Sequence, residues 1–168
     1  MITNLRSQLL TSICDHIYGG SHHTANFPPL GGLPMTRPPL VAERELIRVP
    51  STAATAPYSS AVALGNLVWT SGALPTEQDG TVSEDFRTQV RTALHNLEEF
   101  LREAGADWST VLKINGYVKD IEQLPALNEV YTSIVTVHGA PARTTVEVSR
   151  FRGRTQVEFD AVAFRRIP

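Results

Sequence analysis

"PARTTVEVSRFRGRTQVEFDAVAF", residues 141–164, holds two runs of alternating apolar and polar residues on either side of RFRGR, residues 150–154. Side chains along a strand point alternately to its two faces. Val146 and Val148 therefore share one face, and Arg143, Thr145 and Glu147 share the other. In the second run Val157, Phe159 and Ala161 lie together, opposite Glu158, Asp160 and Val162. The short connection predicts an antiparallel hairpin. If paired positions sum to an odd number, Arg143 and Thr145 lie beside Glu158 and Asp160. An even sum places Glu158 among the valines, which is costly unless its carboxyl is paired. The odd register is the expectation. It would set a guanidinium fork, which matches a carboxylate in bidentate fashion, beside a carboxyl able to position or activate water. That is a minimal kit for acting on a small carboxylic acid. The plainer reading is a cross-strand ion pair on an exposed face, worth about 0.2–1 kcal/mol.

Outward from this stretch, ELIRVPS (45–51) reads as a strand, and SSAVALGNLVWTSGALP (59–75) as two strands joined at Gly65-Asn66, a favoured hairpin turn pair. Ser83 is the expected N-cap of a helix, with Glu84 and Asp85 in its first turn. Phe86, Val90, Leu94, Leu97 and Leu101 recur at helical spacing, and Gly105 closes the helix. TVLKINGYVKD (110–120) is a strand, and IEQLPALNEVYTSIVTV (121–137) a second helix with Pro125 tolerated in its first turn. The order is β-β-β-α-β-α-β-β. Two helices cannot cover both faces of a six-stranded sheet, so both are expected on one face. The bare face then needs a partner, and self-association is its simplest supply.

The first part of the chain reads differently. NFPPLGGLPMTRPPL (26–40) resists regular structure, because proline fixes φ and removes a donor while glycine adds chain entropy. Upstream, TNLRSQLLTSICDHIYG (3–19) could form a short helix, and Met35 is an alternative start. Residues 1–42 are read as an extension, and 43–168 as the folded domain. His22-His23, with His16 nearby, reads as a polar segment rather than a metal site, and Cys14 has no evident base. A net charge of −2 over 168 residues gives no electrostatic case for nucleic acid or an anionic membrane. No apolar run approaches the ~20 residues of a membrane span. The N-terminus lacks the pattern of a secretory signal, and a single cysteine suits a reducing compartment, so a cytoplasmic location is expected.

Several segments together resemble the RidA/YjgF family. They are APYSSAVALGNLVWTSGALP, QVRTALHNLEEFLREAGADWSTVLKINGYVKD, LNEVY and PARTTVEVSRF followed by VEFDAVA, in family order over about residues 56–165. The resemblance implies an α+β, chorismate-mutase-like fold: a six-stranded mixed sheet with two helices on one face, assembled as a homotrimer with sites between subunits. It implies hydrolytic deamination of reactive enamines and imines, such as 2-aminoacrylate and 2-imino acids, to 2-oxo acids and ammonia, with no metal or organic cofactor. By position, Arg143 matches the arginine that grips the substrate carboxylate, and Glu158 the carboxyl that positions water and moves protons. Tyr58, Gly72, Asn128 and Thr145 match substrate-binding positions. Two departures stand out. The family's SGQ[IL]P is SGALP here, so Ala73 replaces a polar residue, and Thr145 replaces cysteine or serine. Two other readings keep the same clefts: a non-enzymatic ligand-binding or chaperone-like relative, and a pathway-specific deaminase or tautomerase for another carboxylic acid.

Overall fold

The computed structural model describes residues 43–51 and 53–166. The helix expected near the N-terminus, Cys14, His16, His22, His23 and Met35 lie outside the described residues. Strands β1 (Glu45–Ile47), β2 (Ala61–Leu64) and β3 (Leu67–Thr70) form an antiparallel meander. The β2–β3 turn carries Gly65 at φ 61°, the left-handed conformation that glycine adopts without a Cβ penalty. Helix α1 (Phe86–Glu103) follows, then β4 (Val111–Val118), α2 (Leu124–Ile134), β5 (Ala142–Glu147) and β6 (Val157–Phe164).

Helix α1 begins two residues later than the sequence suggests. Its N-cap is Asp85, whose carboxylate accepts from the Thr88 N–H, while Ser83 Oγ accepts from the Asp85 N–H just outside. Asp85 competes successfully with Ser83 because it sits three residues before a free amide of the first turn. Gly105, at φ 76°, closes the helix as expected. The second helical stretch is α2 flanked by 3₁₀ turns at Ile121–Gln123 and Thr136–His138, with Pro125 in its first turn.

The expected hairpin of the last two strands does not form. The sheet order is β1-β2-β3-β6-β4-β5. Among the described residues strand β5 pairs only with β4, in parallel, and β6 lies antiparallel between β3 and β4. The reason lies in the two helices. Each joins strands that run the same way, since β3 and β4 are both antiparallel to β6, and a parallel pair needs a crossover of about a dozen residues or more. The β4-α2-β5 unit claims one side of β4. The β3-α1-β4 crossover leaves a slot of one strand's width, and β6 fills it, paired on both edges.

Both helices pack on one sheet face. There β6 contributes Val157, Phe159, Ala161 and Ala163, and β4 contributes Ile114 and Val118, all essentially buried. From α1 come Val90, Leu94, Leu97 and Leu101, and from α2 Leu127, Val130 and Tyr131. Each fully buried leucine contributes roughly 1.5–3 kcal/mol. The opposite face has no cover among the described residues. Its row Leu46–Val62–Trp69–Val162 runs across four strands, with Trp69 42% and Leu46 57% exposed.

Candidate functional site

Register decides which side chains can meet. Arg143 lies beside Ile114, which pairs with Ala161; Thr145 lies beside Gly116, which pairs with Phe159. Laterally paired residues share a face, so Arg143 and Thr145 stand on the helix face, at the outer edge of the sheet. Glu158 pairs with Tyr117, which pairs with Val146, so Glu158 faces the open side. The expected convergence of Arg143 with Glu158 on one hairpin face is therefore corrected. With β4 interposed, the effective register is the even one, and within one chain the two groups lie on opposite sides of the sheet.

Each half is nevertheless built. On the helix face, Arg143 Nη2 donates to Asn128 Oδ1 at 2.7 Å. The guanidinium carbon sits 4.7 Å from the ring centroid of Tyr131, which is 4% exposed. Asn128 and Tyr131 are three residues apart on α2 and so present side chains to the same strand. One fixes an N–H and the other supports the guanidinium plane, a stacking worth about 0.5–2 kcal/mol. The remaining guanidinium donors are left for a planar anion. Thr145 follows on the same face, and its Oγ1 is buried without a hydrogen-bond partner among the described residues. A Cβ at Gly116 would come within 3.1 Å of the Phe159 ring and 3.3 Å of that hydroxyl, so glycine here leaves room for both. The Tyr131 hydroxyl is likewise buried and unpartnered, and burial pushes the phenol up while Arg143 pulls it down.

On the open face, Glu158 is partly buried in a cleft of ≈ 350 Å³ shared with Gly72, Tyr117, Arg150 and Asp160. The segment after β3 is tied to β6 by a two-bond bridge between Ala73 and Phe159, at 2.7 and 3.2 Å. This bridge brings Gly72 under the Glu158 carboxyl. A Cβ at position 72 would lie 1.7 Å from Glu158 Oε1, so only glycine leaves the acid its place. Ala73 pairs with Phe159 and is fully buried in the core. It is not among the residues that line the cleft. Tyr58, 55% exposed, and Gly72 border a broader groove together. Burial first, and then the neighbouring Asp160, push the Glu158 carboxyl above its ordinary range. Arg143 stands on the other face.

The structure groups the expected residues in two halves, Arg143 with Asn128 and Thr145 on one face and Glu158 with Gly72 on the other. The sequence reading missed Tyr131, although the spacing from Asn128 to Tyr131 on one helix was a usable signal. Asp160 pairs locally, accepting from Asn115 and Tyr117. No group of three or more His, Cys, Asp or Glu that could hold a metal ion is present among the described residues.

Comparison with known proteins adds the following. Residues 49–165 match the family model described as Endoribonuclease L-PSP. The chain is 37% identical over 117 residues to a 2-iminobutanoate/2-iminopropanoate deaminase of Salmonella typhimurium, covering 68% of this chain and 91% of that protein. It resembles the crystal structure of the Escherichia coli YjgF gene product, with a TM-score of 0.67 and 34% identity, over 73% of this chain and 99% of that one. It also resembles E. coli TdcF with bound serine, with a TM-score of 0.68 and 28% identity, over 73% and 99%.

Proposed function

The chain belongs to the RidA/YjgF family, and from that premise we propose that it hydrolyses reactive 2-imino acids and their enamine tautomers, such as 2-aminoacrylate, to 2-oxo acids and ammonia. The observation that carries this reading is the pre-positioned Arg143. Its guanidinium is held by Asn128 and Tyr131 with donors to spare, as recognition of a small carboxylate requires. The similarity to proteins described as imine deaminases supplies the reaction class.

The opposite placement of Arg143 and Glu158 bears directly on assembly. A site needing both groups has to draw them from different copies. We therefore assign the site to an interface in a homotrimer, where Arg143, Asn128 and Thr145 of one subunit meet Glu158, Gly72 and Tyr58 of the next. The exposed row through Leu46, Trp69 and Val162 supports this, because a contiguous apolar face on a sheet is stable only when covered. In the reaction the carboxylate docks on Arg143, and water adds to the imine carbon. The C–N bond then breaks, while Glu158 relays protons between the water and the departing nitrogen. Arginine stays charged throughout and so orients without joining that traffic.

Two experiments test the reading. Imines of alanine or leucine size, generated in situ by an amino-acid oxidase, are expected to be hydrolysed with a loss of about 10²-fold or more in Arg143→Ala. Equal rates in the two proteins reject the mechanism. In the second, Arg143→Ala and Glu158→Gln chains, each inactive alone, are co-assembled. A shared interface regenerates about one quarter of wild-type sites in random mixtures, whereas a site within one chain regenerates none. A non-enzymatic relative would bind a 2-oxo acid through Arg143 and turn over nothing.

A further inference from the structure

Two carboxyls stand on the open face of β6, one pleat repeat apart. Asp160 is fully engaged: Oδ1 accepts from Asn115 Nδ2 at 2.8 Å and Oδ2 accepts from the Tyr117 hydroxyl at 2.9 Å. Both donors come from β4, whose register sets Asn115 directly opposite Asp160 and Tyr117 opposite Glu158. With both oxygens occupied as acceptors, Asp160 has the hydrogen-bond pattern of an ionised acid. Glu158 has no such partner among the described residues, is partly buried, and lies over the bare backbone of Gly72. We propose that Asp160, pinned by Asn115 and Tyr117, is a positioning residue whose fixed negative charge makes Glu158 the proton-bearing member of the pair, so that an imine meets Glu158 as an acid.

The inference rests on the deaminase reading and deepens it. Two carboxyls on one face do not share charge equally when only one is solvated by donors. The other groups near Glu158 are few. From β4 come Tyr117, turned to Asp160, and Lys113, whose Nζ is engaged by Thr144 Oγ1. From the 148–156 connection comes Arg150, in the wall of the same cleft, and the segment at Gly72 brings none. Burial first, and then Asp160, push the Glu158 carboxyl up. Tyr117 stays a donor, because its hydrogen bond to Asp160 holds the phenol above its usual range.

The proton balance closes around this state. Protonated Glu158 gives its proton to the imine nitrogen, which makes the carbon an iminium electrophile. As the water oxygen bonds to that carbon, Glu158 takes the water's proton. It returns that proton to the amino nitrogen, the C–N bond breaks, and ammonia leaves. The remaining hydroxyl proton passes back to Glu158 as the new C=O forms. Each cycle thus starts and ends with Glu158 protonated, and no outside acid is consumed.

The test is an NMR titration of side-chain carboxyls in the full chain, paired with pH profiles of kcat and KM for 2-iminopropanoate formed in situ. Asp160→Asn, which keeps the shape and loses the charge, is expected to move the Glu158 titration to lower pH. The alkaline limb of the wild-type kcat profile should move with it, kcat should fall most at the alkaline end, and KM should change little. Tyr117→Phe keeps the charge but releases one oxygen, and is expected to shift Glu158 the same way by less; Asp160→Glu is expected to restore the profile. A Glu158 midpoint unmoved in both Asp160→Asn and Tyr117→Phe overturns the inference while leaving the deaminase reading standing. Absence of imine turnover in the wild type overturns the deaminase reading, and the titration then reports on the carboxyl pair alone.

Discussion

Gly72 and Glu158 show how one missing Cβ governs a functional group. Gly72→Ala would place a methyl 1.7 Å from the Glu158 carboxylate oxygen, and the flexible end of that side chain is what must move. The expected outcome is a folded protein of near-native melting temperature with activity reduced about tenfold or more, since a misplaced proton carrier costs that much. Unchanged kcat would show that Glu158 does not work from over position 72. Glu158 also makes a stability prediction. Its folded carboxyl lies above its unfolded value, so the native state holds more protons, and stability falls as pH rises from the ordinary carboxylate range through the raised value. Glu158→Gln removes that loss. Its thermal midpoint should exceed wild type at neutral pH, with the gain vanishing toward pH ~4, where both states are protonated. A gain that persists unchanged in acid would contradict a raised carboxyl. These residue-level facts were half legible: glycine at 72 and acid at 158 could be read from motif position, but the contact between them could not.

At the scale of elements, helix boundaries follow local chemistry. The carboxylate of Asp85 caps α1, so Asp85→Ala should cost about 1 kcal/mol in urea unfolding, whereas Ser83→Ala should cost less. The reverse ranking would restore Ser83 as the effective cap. The alternation in residues 141–164 correctly sorted every side chain of β5 and β6 into two faces, because that sorting depends only on the strand's own pleat. It did not identify the neighbouring strand. Nearest-in-sequence pairing is the usual outcome for short connections, but two parallel crossovers took precedence here and placed β4 between them. The same insertion moved Arg143 to the helix face, where Asn128 and Tyr131 hold it.

At the scale of the molecule, the sheet face left open among the described residues is the dominant feature. Trp69 stands in its apolar row, paired laterally with Val62 and Val162. Trp69→Glu leaves the helix-face core untouched, so the chain should fold with native helix content but run as a monomer in size-resolved sedimentation, with activity lost. A variant with the wild type's sedimentation and activity would count against this face as the subunit interface of the proposed trimer. The argument for a covering partner came from counting: two helices, six strands and one unpaired face.

Element identity, strand faces and the helix stop at Gly105 were determined by the sequence alone, because each depends on neighbours a few residues away. Sheet order, the separation of Arg143 from Glu158, the burial of Ala73 and the pinning of Asp160 were decided only by tertiary structure. Those depend on which distant strand fills the slot between β3 and β4, and that choice is made by competition among long-range pairings that no local pattern encodes.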